Sequence, residues 1–261
     1  MVHGSRLLLL PSAWALAGWQ LLGSVWRLMH FCALILVVAF TPATYSQANR
    51  SLLARHVHAA VWEVLPWFTA LSALLSLVLI RVVLVSAQSY GLSSYALEMV
   101  VRVLVLELIP LAAAMFVALR GGLVLPTLMP GHAASLAFWR EELVPRLLAG
   151  VLAVLALALV SSAVALVQAY LMVHGPSPWG LPRYTRTVGH VFSPAVFLGF
   201  AFKTLLFSLA VAVVPMAASL ETAPPTHNPP DPQTVALQPG AVRLFLVLLM
   251  IEAASLAVKY F

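Results

Sequence analysis

Charge is what this 261-residue chain lacks: only 8% of its residues are Asp, Glu, Lys or Arg, while 62% are hydrophobic. Soluble domains average roughly 25% charged residues, so a soluble globular fold is excluded. Cysteine is nearly absent. The single Cys32 rules out an intrachain disulfide and any multi-cysteine metal site. Catalytic signatures are missing too. No Gly-x-x-x-x-Gly-Lys-Ser/Thr loop occurs, so ATP is not bound by that device, and neither His-Glu-x-x-His nor Gly-x-Ser-x-Gly is present. His56 and His58 lie roughly 200° apart on a helix and make a poor metal pair there. No catalytic residue, metal or cofactor is therefore assigned, and the chain is expected not to be an enzyme.

Long apolar runs take the place of charge. They show no period-2 alternation, which points to membrane helices rather than a strand barrel. The fold class expected is an all-α integral membrane protein with an N-terminal interfacial helix and about five transmembrane helices. The spans are expected near 64–86, 92–119, 147–173, 195–216 and 241–258. Trp62 and Trp67 stand at the start of the first as interfacial anchors.

Ahead of these spans, 7–40 is interrupted by Pro11, Gly18, Gly23 and Arg27 and reads as a helix in the interface; a sixth span through 26–42 is the alternative. The first ten residues are read as retained rather than as a signal peptide. Ser51 offers an N-cap for a short amphipathic helix with Arg55. The division expected is 1–63, interfacial and elbow helices, then 64–261, the transmembrane domain. Two Pro/Gly-rich stretches read as loops: 173–190, with Arg183 and Arg186, and 221–240, with six prolines.

The net charge of +6 flanks the spans, where basic residues set topology and meet anionic headgroups, so no nucleic-acid partner is expected. With a cytoplasmic N-terminus, that side receives Arg6, Arg27, Arg50, Arg55, Arg120, Arg140, Arg146 and Arg243. The outside receives Arg183, Arg186 and Lys259. This bias favours N-in, and five spans then leave the C-terminus outside.

Charges inside spans are the candidate functional groups, because an ionisable side chain in hydrocarbon is costly and needs a partner or a task. Glu98 and Arg102, spaced i, i+4, share a helix face and can neutralise one another. Glu107 sits deeper, on another face, three residues before Pro110, which removes an amide donor and disturbs the helix. Lys203 and Glu252 are lone charges in other spans. Convergence of Glu107, Lys203 and Glu252 in the bundle interior would neutralise them, as a structural cluster or as a site of substrate passage or gating.

Two stretches resemble a known family. Glu107-Leu108-Ile109-Pro110, followed by Leu119-Arg120-Gly121-Gly122, is similar to the signature helix of MlaE/YrbE-type permeases, the membrane subunits of ABC transporters that move lipids with MCE proteins. Phe202-Lys203-Thr204 with Phe207 is similar to the family's fourth-span motif, and Glu252 falls where an acidic residue is common. The resemblance implies an MlaE-like bundle at the bacterial inner membrane, a homo- or heterodimer of permease subunits, a separate ABC ATPase, an MCE-domain partner and a phospholipid substrate. Glu107, Pro110, Lys203 and Glu252 are the candidates for substrate passage or gating, from their charge or helix-breaking place inside the spans. Departures are evident: Ile109 replaces a glycine, Leu106 an arginine, and the loop after Gly122 has lost a glutamate and gained Pro126 and Pro130. A non-transporting structural or regulatory subunit of such a complex is the alternative.

In that loop Phe138 and Trp139 precede Arg140, Glu141 and Glu142. With Arg120 these are the candidates for coupling to an ATPase, aromatic anchors beside charges. The plainer reading is an interfacial tryptophan with solvated charges.

Overall fold

The computed structural model describes residues 61–122, 143–221 and 239–260, with isolated positions at 33, 54, 55, 57 and 58. Among the described residues there is no strand. The helices are α1 (Leu65–Ser89), α2 (Ser93–Val100), a π-helical segment (Val101–Leu108), α3 (Ile109–Gly122), α4 (Val144–His174), α5 (Leu181–Val191), α6 (Pro194–Glu221) and α7 (Pro239–Tyr260). Five stretches are long and apolar enough to cross a bilayer: Leu65–Ser89, Tyr95–Arg120, Val144–His174, Pro194–Pro215 and Ala241–Lys259. The second comprises most of α2, the π segment and most of α3. These match the five spans expected from hydropathy, and each crosses antiparallel to the last. The interfacial reading of 7–40 and the loop reading of 221–240 fall almost wholly outside the described residues.

α4 is central and packs against α1, the π segment, α3 and α6. Its buried face is built from small residues, among them Ala158, Ser161, Ala165 and Ala169, which let helix backbones approach closely where lipid offers no hydrophobic drive. α1 answers with Phe68, Ser72, Ser76, Ile80 and Leu84, a buried row at every fourth residue. Gln168 Nε2 donates to the Ala73 carbonyl at 3.1 Å and ties the two helices. α1 and α7 leave most of their apolar residues exposed, as a lipid-facing helix does.

Local signals fix the ends. α1 closes in a Schellman turn: Leu92 N–H donates to Ala87 and Gly91 N–H to Gln88, with Gly91 at φ +71, a conformation glycine alone takes freely. The disturbance expected at Pro110 takes the form of the eight-residue π segment. Ile109 N–H donates five residues back, to Leu104, rather than four. The widened turn lies just ahead of the ring that cannot accept a normal α register.

One loop expectation is overturned. Within 173–190, Pro178–Gly180 forms a 3-10 turn and Leu181–Val191 the amphipathic helix α5. Proline density misled here because Pro178 and Pro182 stand in the first turn of their segments, where a missing amide is harmless.

Candidate functional site

The π segment, α6 and α7 bring four charged side chains to one place inside the bundle. Lys203, in α6, is buried and its Nζ donates to Glu107 Oε2. The same Nζ lies 2.7 Å from Glu252 Oε2, in α7. Lys203 therefore stands between two carboxylates and forms an ion pair with each. Lys259, also in α7, donates to Glu107 Oε1 at 2.9 Å. Among the described residues two carboxylates meet two ammonium groups, and such balance is how a low-dielectric interior tolerates charge.

Local sequence explains the aim of each group. Lys203 and Phe207 are one turn apart, and the ammonium sits 5.6 Å from the Phe207 ring centroid, a cation–π contact. Glu252 and Lys259 are seven residues apart, two turns of one helix face. Glu107 occupies the π segment, where the altered register sets its direction.

The structure thus gathers Glu107, Lys203 and Glu252, and places Pro110 fully buried one turn from Glu107. Glu98 and Arg102 satisfy each other at 2.8 Å outside this cluster. Lys259 is the member the sequence reading missed. It was counted as an outer flanking charge, yet its side chain is turned into the bundle; the seven-residue spacing from Glu252 was the available signal. At the opposite end of the bundle Arg120 pairs with Glu63 at 2.9 Å, both exposed. Glu63 lies 57 residues away in sequence, and nothing local announced it. Phe138, Trp139, Arg140, Glu141 and Glu142 lie outside the described residues.

Chemically, the cluster can hold three spans together by ion pairs, exchange partners between two carboxylates, or offer charge to a polar headgroup. Among the described residues no three His, Cys, Asp or Glu side chains are grouped to hold a metal ion. Five helices long and apolar enough to cross a bilayer make this a multi-pass membrane protein. The profile of the family Permease MlaE matches residues 52–126 and 137–254. The chain belongs to the MlaE permease family and is a membrane permease of lipid transport. The unmatched interval, 127–136, falls on the loop whose prolines depart from the family pattern. No curated protein gives a match.

Proposed function

We propose that this chain is the permease subunit of an ABC-type phospholipid transporter at the bacterial inner membrane. It pairs as a homo- or heterodimer, is driven by a separate ATPase and exchanges lipid with an MCE-domain protein. The observation that carries the proposal is the ionic cluster linking the second, fourth and fifth spans, in which Glu107 and Lys203 of the two family-like motifs meet Glu252 and Lys259. In this reading Glu107, Lys203 and Glu252 are the gate. Their ion pairs hold the spans closed in the resting state, and partner-driven movement frees them to meet a headgroup. Pro110 and the π segment supply the irregular helix at which such movement is easiest. Arg120 and 138–142 face the ATPase, with the N-terminus cytoplasmic and the C-terminus periplasmic.

The unmatched interval at 127–136 favours one second reading, a subunit that assembles in the complex without driving transport. Affinity purification from the native membrane, followed by ATP-dependent transfer of a fluorescent phospholipid in proteoliposomes, tests both. Transfer that is lost in Glu107→Gln while the ATPase stays bound supports the gate. An ATPase bound elsewhere in the complex, with transfer indifferent to Glu107, supports the second reading.

A further inference from the structure

α5 has no part in the ionic cluster. Its inner face carries Tyr184 and Val191, both buried. The Tyr184 hydroxyl donates to the Leu166 carbonyl at 2.6 Å, and burial pushes its pKa up to about 12, so it remains a neutral donor at any physiological pH. The Tyr170 hydroxyl donates to the Ser177 carbonyl. His174 stacks on Tyr170 at 5.5 Å and meets Tyr184 edge-on. Gly180 lies so close to His174 that a Cβ would fall 2.4 Å from the ring. These contacts fasten α5 against the end of α4.

The depth of that end follows from α4. Between Arg146 and His174 the helix carries no charge, about 27 residues or ~40 Å at ~1.5 Å per residue, enough to cross the ~30 Å of a hydrocarbon core with a tilt. His174 closes α4 at the edge of that core. α5, hung from Leu166 by Tyr184, lies beside this end. Tyr90, Tyr95 and Trp179 are exposed at the same end of the bundle, as an interfacial aromatic belt is.

The outer side of α5 is basic. Trp179, Arg183, Arg186 and His190 follow at i, i+4, i+7 and i+11, one stripe by helical period, and all four are exposed. Neither arginine has an ion-pair partner among the described residues. Glu98, the one partly exposed described carboxylate at this end, is held by Arg102.

We propose that α5 is a headgroup-binding shelf that takes the phosphate of anionic membrane lipids between Arg183 and Arg186. Guanidinium forks match phosphate oxygens two at a time. His190 adds a donor one turn on, and Trp179 seats the shelf at the interface. The site is separate from the ionic cluster and stands whether or not the bundle moves lipid.

The test uses the full chain in nanodiscs of phosphatidylcholine with a minor fraction of phosphatidylglycerol. After detergent release, native mass spectrometry gives the ratio of the two lipids retained per protein. Arg183→Gln with Arg186→Gln is expected to lower phosphatidylglycerol enrichment about fivefold or more, from the loss of two interfacial charges. The matching Lys pair is expected to keep an intermediate enrichment, because charge remains and the fork is lost. Both sites are exposed, so an unchanged melting temperature shows the fold intact. Unchanged enrichment in the Gln pair overturns the proposal, and so does a Gln pair that keeps the lipid but loses a co-purifying protein, which would make the stripe a protein dock.

Discussion

Removing Lys203 is the perturbation with the clearest arithmetic. The cluster holds Glu107, Glu252, Lys203 and Lys259 at net zero. Lys203→Met keeps the side-chain bulk and leaves net −1. Glu107 retains Lys259 at 2.9 Å, whereas Glu252 loses its ion-pair partner in this group. The cost is therefore that of one orphaned interior carboxylate, about 3–5 kcal/mol for breaking one side of a buried pair. Glu252→Gln on its own should cost less, because Lys203 keeps its pair with Glu107 and no interior carboxylate is orphaned. The double variant, Lys203→Met with Glu252→Gln, restores neutrality as Glu107 with Lys259 and should recover most of the loss. The assay is reversible unfolding of the purified chain in mixed micelles, read as a double-mutant cycle. A double variant no more stable than Lys203→Met alone would show that the charges do not share one site and would refute the reasoning.

Three further outcomes are expected. Lys259→Met should destabilise less than Lys203→Met in the same assay, since Lys259 is the more exposed ammonium; equal losses would contradict the ordering. Arg120→Ala should change stability by no more than about 1 kcal/mol, because its pair with Glu63 is exposed, yet impair a detergent-sensitivity phenotype more than Arg55→Ala does; equal tolerance would remove the special role of Arg120. In a Cys32→Ser background, a cysteine at Ser177 should react with an impermeant thiol reagent from outside and one at Thr226 should not; the reverse pattern would invert the topology.

The five spans were legible because a bilayer demands a length and an apolarity that few other structures share. The pair Glu98–Arg102 was legible because i, i+4 spacing forces proximity whatever the tertiary fold. The meeting of Glu107, Lys203 and Glu252 was legible only as a demand for neutrality: periodicity states which charges lack a local partner, not which helix supplies one. Lys259 escaped because a charge at the end of a span serves topology as readily as it serves a bundle interior. α5 escaped because glycine and proline mark both loops and helix starts, and the buried Tyr184 that distinguishes them depends on α4. The π segment is a matter of hydrogen-bond register, on which composition is silent.

The cluster constrains how this bundle can move. α7 exposes most of its apolar residues and packs mainly on α6, so packing alone would let it leave the π segment readily. Two of its charged side chains oppose that departure, since Lys259 bonds Glu107 and Glu252 lies beside Lys203. Drawing α7 away breaks the Lys259–Glu107 and Lys203–Glu252 pairs and strands Glu252 among apolar neighbours, where an unpaired charge is costly, while Glu107 keeps Lys203. Two routes avoid that expense. The second, fourth and fifth spans can travel together, keeping all four groups in contact, or water and polar headgroups can enter as the helices part and take over as partners. Opening between α7 and the π segment is therefore coupled to hydration, and a bundle closed to water keeps itself closed.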